Sequence, residues 1–282
     1  MILSISNIAW NPDRRHEIYS MLQKYHITGL EIAPGLLFYH ADDPFNPNKQ
    51  EIRRVISELE RFNLKIISMQ SLLYMKTNAQ LFGNLRQKKI FFKEMVTAIK
   101  LAEKLNIPNL VFGSPLNRNY SNNITPEIAH DIALDTFQKL GLIASEAGTS
   151  ILIEPNPKEY KTNFINSMLE AIIFVKELHS PGVKSILDIG SIKMNNEYSN
   201  LSGLIAQSIH YLKHVHISEP FLKPAPFCSN EFKNLYNLLQ NFGYTNALSI
   251  EMKPANKDII TIERSVSLIS KVNTQYENKE QK

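Results

Sequence analysis

The chain has 282 residues, 43% hydrophobic and 21% charged with ten glycines, an ordinary globular composition that excludes disorder and a fibrous protein. Its single cysteine, Cys228, excludes a disulfide framework or a cysteine-based zinc site and suits a reducing, cytoplasmic setting. A net charge of +4 is too weak to call for nucleic acid, and with no basic n-region and no run of about 18 apolar residues, neither a secretory signal nor a membrane partner is expected.

The first apolar run, Leu3–Ser6, reads as a buried strand. Asn11-Pro12 then opens a helix, with Asn as N-cap and Pro at the first helical position, continuing through Ile18, Met21, Leu22 and Tyr25. Strands are predicted at Gly29–Ile32, Lys65–Met69 and Asn109–Phe112, with helices near Asn48–Phe62 and Arg86–Leu105 between them. Thr125-Pro126 repeats the capping chemistry ahead of a face carrying Ile128, Ala129, Ile132 and Ala133. Further strands follow at Ser150–Glu154, Lys184–Asp188, Lys213–Ile217 and Ala247–Glu251, with helices near Phe164–Leu178, Leu201–Tyr211, Glu231–Phe242 and Lys257–Lys271.

Eight alternations of strand and helix predict an α/β fold, a (β/α)8 TIM barrel in one domain spanning 1–271, followed by a frayed polar tail at 272–282. The competing doubly wound sheet wants a glycine-rich turn after the first strand, and Asn7-Ile8-Ala9-Trp10-Asn11 has none. The loops Ala33–Pro47, Gln70–Gly83 and Gly113–Thr125 are long, as loops covering a barrel's active face often are.

Barrel chemistry comes from the C-terminal ends of strands. Here those ends carry Glu31, Gln70, Glu154, Asp188, His214 with His216, and Glu251. Carboxylates at apolar strand ends are costly to desolvate unless they are paired or bind a cation. Glu154, Asp188, His216 and Glu251 fall one βα unit apart on four consecutive strands, so they would converge on one face. Three carboxylates and one imidazole suit a single Mn²⁺, Mg²⁺ or Co²⁺, with Zn²⁺ as an alternative. His214 shares a face with His216 and is left either to orient it or to pack beneath it. Trp10 could cover a sugar ring or anchor the core. Glu31 and Asn156 are read as substrate contacts, and Arg118 and Lys253 as contacts for an anionic group. Cys228 has no neighbouring base and is read as inert.

The motifs Ile153-Glu154-Pro155-Asn156, Leu187-Asp188, His214-Val215-His216-Ile217-Ser218-Glu219 and Ser249-Ile250-Glu251, in this order, resemble the xylose-isomerase-like TIM-barrel superfamily. The likeness is to its sugar-phosphate isomerase/epimerase group, which includes ketose 3-epimerases, hydroxypyruvate isomerases and inosose dehydratases. It implies one divalent metal, usually Mn²⁺, held by Glu154, Asp188, His216 and Glu251. It also implies that Glu154 and Glu251 remove and return a proton next to a carbonyl, through an enediolate. A small sugar, sugar phosphate or related polyol ketone is the implied substrate, and a homodimer is consistent with the group. The chain departs from the group's pattern at Ser191 and Gln70, where histidines are common, and in lacking an arginine shortly after His216. Gln70 could still hydrogen-bond a substrate hydroxyl. A dehydratase or lyase, and a metal-binding barrel without catalysis, are the alternatives. An endonuclease IV-like enzyme would want further histidines where Gln70, Ser114 and Ser191 stand.

Overall fold

Eight parallel strands close on themselves in sequence order, β8 pairing with β1. They are β1 (Ile2–Ser6), β2 (Gly29–Ile32), β3 (Lys65–Met69), β4 (Asn109–Phe112), β5 (Ser150–Ile153), β6 (Val183–Asp188), β7 (Leu212–Ser218) and β8 (Ala247–Glu251). The computed structural model describes residues 1–255 and 258–280. Its helices are α1 (Arg15–Lys24), α2 (Pro34–Leu37), α3 (Lys49–Arg61), α4 (Leu85–Leu105), α5 (Pro126–Glu146), α6 (Met168–Leu178), α7 (Ile189–Met194), α8 (Leu201–Ser208), α9 (Ser229–Asn241) and α10 (Asp258–Glu280). The molecule is therefore a (β/α)8 TIM barrel.

Helix starts follow side-chain chemistry. Asn48 and Asn84 each form a reciprocal capping box, with Glu51 and Gln87, and Thr125 accepts from the Ile128 N–H ahead of Pro126. Asn11 caps a short 3-10 turn, Pro12–Arg14, which leads into α1. The boundary expected at 271 falls inside α10, and Val272 is buried against the barrel, so the chain stays helical there. Lys257 lies outside the described residues. No helix among the described residues is long and apolar enough to cross a membrane.

The main core lies between the outer face of the barrel and the helices. At one side Phe137 packs edge-on against Phe91, Phe112 and Phe174, with ring centroids 5.0–6.4 Å apart. Each such contact adds to the burial of a large side chain. Phe137→Ala is expected to lower unfolding free energy by about 3–5 kcal/mol, read as a lower denaturant midpoint at unchanged slope. A change under about 1 kcal/mol would mean that the surrounding rings collapse into the space.

Inside the barrel the pattern differs. Among the described residues, Val111, Leu152 and Ile186 form a small apolar cluster there. The neighbouring buried positions are polar: Ser4, Ser6, Ser68 and Ser249, with His214 and His216. Most polar groups so deeply buried are hydrogen-bonded; the Ser249 hydroxyl has no partner among the described residues, while the ones nearest the C-terminal end converge on a few carboxylates.

Candidate metal and active site

Strand register sets the site. β6 and β7 pair Asp188 with His216, and β7 and β8 pair Ser218 with Glu251, so these inward residues sit at one height. Glu154 follows β5 by one residue, its N–H bonded to the Phe112 carbonyl. Ligand atoms of Glu154, Asp188, His216 and Glu251 all lie within 4.8 Å of one another. His216 Nδ1 is 3.0 Å from Glu154 Oε1, 3.2 Å from Glu251 Oε2 and 3.6 Å from Asp188 Oδ2.

Although these distances are short, the buried Nδ1 has no partner in hydrogen-bond geometry. Three carboxylates aimed at one point repel one another unless positive charge lies among them, which a protonated His216 or a bound cation supplies. The donor set, three oxygens and one nitrogen, could hold one divalent ion. Crowding also shows in the protonation balance. Burial pushes the Glu251 carboxyl up, helped by Glu154 and Asp188 and opposed by His216, to about 7. Burial acts against the charged form of His216, but Glu251, Glu31, Asp188 and Glu154 together hold its pKa well above the usual histidine value.

Asp188 is fixed by two further bonds. Its Oδ1 accepts from the Ser191 backbone N–H at 2.6 Å, capping α7, and its Oδ2 accepts from Ser218 Oγ at 2.6 Å. Burial would raise its carboxyl, but His216, Ser218 and the Ser191 N–H hold it below the usual value. Ser218 had no sequence signal beyond its place two residues after His216 on the same face of the strand.

Glycine at position 113 makes room for Glu154. A methyl carbon there would lie well inside van der Waals contact distance of Glu154 Oε2. Gly113→Ala is expected to keep the fold, since that carboxylate can swing aside. The affinity of the four-residue set for Zn²⁺ should fall at least about tenfold, because displacements near 1 Å in such a set are that costly. Wild-type zinc affinity in a chelator competition would contradict this placement.

Above the carboxylates lies a cavity of about 490 Å³. Its polar floor includes Gln70, Asn156, Ser191, Glu154, Asp188 and Glu251. Leu73, Tyr74, Met75, Leu116 and Leu222 line its outer part, and Tyr74 and Met75 are 72% and 79% exposed. Asn156 Nδ2 donates to Glu154 Oε2 at 3.2 Å. Tyr160, which the strand-end pattern did not indicate, also faces the cavity and accepts from the Phe221 N–H. Burial, then the charge of Asp188, pushes its phenol up to about 12, so it stays a neutral hydroxyl at physiological pH.

Four expected substrate contacts lie elsewhere. Trp10 is buried and packs edge-on to Tyr19 at 6.5 Å, so it anchors the core and does not line the cavity. Arg118 is wholly buried; its Nη2 donates to the Glu154 carbonyl at 2.7 Å, and its guanidinium lies 5.6 Å from the Phe112 ring. Burial pulls its pKa down to about 10, and it braces the strand end that carries Glu154. Lys253 is exposed and does not line the cavity. Glu31 is fully buried beneath the four converging residues, where Gln70 Nε2 donates to its Oε1 and to Ser6 Oγ, each at 2.8 Å. His214 and His216 both point inward at successive levels, with ring centroids 5.3 Å apart.

The chain aligns with the 3-keto-D-glucoside 4-epimerase YcjR from E. coli at 16% identity and TM-score 0.75, covering 96% of this chain and 99% of that one. D-psicose 3-epimerase from Clostridium cellulolyticum H10, solved with D-tagatose, matches at 16% identity and TM-score 0.76, covering 98% and 99%. IOLI protein with a bound zinc atom matches at 15% identity and TM-score 0.69, covering 98% and 97%. At these identities the likeness establishes the fold. No curated protein sequence matches. Residues 20–268 match the family described as xylose isomerase-like TIM barrel, and the chain belongs to that family.

Proposed function

We propose that the protein is a divalent-metal-dependent isomerase or epimerase of a neutral sugar or sugar-like ketone. The observation that carries this reading is the placing of two glutamates, from strands three apart in the barrel, on one partnerless imidazole nitrogen at the floor of a cavity. Glu154, Asp188, His216 and Glu251 would hold the ion. Once bound, a divalent ion supplies Lewis-acid polarisation of a carbonyl, worth several kcal/mol of the barrier to removing the neighbouring proton. Glu154 and Glu251 line the cavity from the ends of β5 and β8, so one can take that proton and the other can return one to the opposite face. Asn156 orients Glu154, the Gln70 side-chain carbonyl oxygen can accept from a substrate hydroxyl, and the neutral Tyr160 hydroxyl offers a hydrogen bond to a substrate oxygen.

Solved relatives of the same fold act on a 3-keto-D-glucoside and on D-psicose, and one binds zinc, which supports the same class of chemistry here. Charge favours an unphosphorylated substrate. The only cation among the described lining residues is Lys76, and it pairs with Glu94 at 3.1 Å. A phosphate would therefore meet carboxylates with no free positive partner. The test is to incubate Mn²⁺-loaded protein in D₂O with ketopentoses and ketohexoses and with their phosphates. NMR is expected to show deuterium entering the carbon next to the carbonyl of a neutral ketose. Absence of exchange across the whole panel would contradict the reading.

A further inference from the structure

Glu31 is met by buried groups at both of its carboxylate oxygens. Its Oε2 lies 2.7 Å from Ser68 Oγ, 3.1 Å from His214 Nε2 and 3.1 Å from His216 Nε2, while its Oε1 takes the Gln70 amide at 2.8 Å. All the groups meeting at Oε2 are fully buried. An acceptor-only carboxylate in this setting requires that His216 present its Nε2–H downward. The ring's other nitrogen, Nδ1, faces Glu154, Asp188 and Glu251, and in a neutral ring so oriented it is the nitrogen that offers a lone pair to an ion.

We propose that Glu31 is a positioning residue: it fixes the tautomer and the ring plane of His216, and through them the affinity of the four-residue set for a divalent ion. The role rests on the metal reading of that set. Ser68, Gln70 and His214 hold the carboxylate in turn, so the device spans β2, β3 and β7. Outer carboxylates of this kind change metal affinity about 10- to 100-fold when altered. Glutamine at position 31 keeps the shape but turns one oxygen into a donor. Facing His216, that donor opposes the required tautomer.

A second arrangement uses the same atoms differently. Glu31, His214 and His216 could themselves ligate an ion, since their ligand atoms also lie within 4.8 Å of one another. The Ser68 and Gln70 bonds already made to Glu31 favour the positioning role, because they occupy lone pairs that a metal would want.

The experiment uses the full chain labelled with ¹⁵N-histidine and loaded with ¹¹³Cd²⁺, alongside Zn²⁺ titrations against a competing chelator. The wild type is expected to bind one ion per chain. Cadmium coupling should appear on His216 Nδ1 and not on Nε2, with a slowly exchanging, low-field Nε2 proton. Glu31→Gln should weaken Zn²⁺ affinity about 10- to 100-fold and shift that proton, and Glu31→Asp should recover part of the loss. Unchanged Zn²⁺ affinity in a folded Glu31→Gln variant would overturn the positioning role and leave the metal centre standing. Cadmium coupling on Nε2 would overturn it in the wild type, even if no variant folds. Two ions per chain, one of them lost in His214→Gln, would make Glu31 a ligand and overturn it as well. A wild type that binds neither Zn²⁺ nor Cd²⁺ would refute both the metal reading and the inference built on it.

Discussion

Replacing Glu154 or Glu251 by glutamine is expected to abolish exchange of substrate carbon-bound hydrogen with solvent, a loss of at least about 10²–10⁴ in rate for each. Neither amide can accept a proton from carbon, and each substitution also removes one oxygen from the set facing His216. The two effects separate by measurement. If glutamine acted only by weakening ion binding, saturating Mn²⁺ would restore exchange. If the carboxylates move the proton, exchange stays absent at saturating Mn²⁺. Exchange that survives in both variants would remove their assigned roles and leave the cavity as a binding site.

His216→Gln should have the largest effect on ion binding. Its Nδ1 is the one nitrogen in the set and the point on which the three carboxylates converge. Loss of a ligand must weaken binding more than alteration of an outer residue does, hence by more than about 100-fold. A stability readout follows. An ion at 100 times its dissociation constant stabilises the folded state by about 2.7 kcal/mol. The wild type should therefore melt several degrees higher with saturating Zn²⁺ than after chelation, and His216→Gln should show no such shift at the same concentration. An equal shift in both proteins would place the ion elsewhere.

The strand pattern carried most of the fold. Val, Ile and Leu runs of four to six residues marked β2, β3, β4 and β8 at their observed bounds, because both faces of a barrel strand are buried and the apolar signal is continuous. The short helices α2 and α7 had no such signal; four and six residues are too few to show a 3.6-residue period. The continuation of α10 past 271 was hidden by its polar composition, while one buried position, Val272, keeps the helix seated on the barrel.

At the site, convergence could be read from spacing, but depth could not. Glu154, Asp188, His216 and Glu251 come together because their strands deliver them at one level. Glu31 ends an equally apolar run, yet it stays below that level, beside Ser6 in the β1–β2 register. Nothing local in Gly-Leu-Glu-Ile distinguishes the two outcomes. Arg118 misled for a related reason, and Trp10 takes the packing role that its position left open. Each lies just past a strand, where chemistry is expected, but a buried carbonyl and an aromatic neighbour claimed them first. Ser218 and Gly113 matter through a hydroxyl's aim and an absent methyl, which appear only once Asp188 and Glu154 are in place.

The most direct test of the metal centre is the amount of ion bound per chain. Protein purified without chelator, reloaded with Mn²⁺ or Zn²⁺ and dialysed, is analysed for metal beside His216→Gln. One ion per wild-type chain and none in the variant is the predicted result. No bound ion under either loading would contradict the metal centre, and with it the proposed isomerase chemistry.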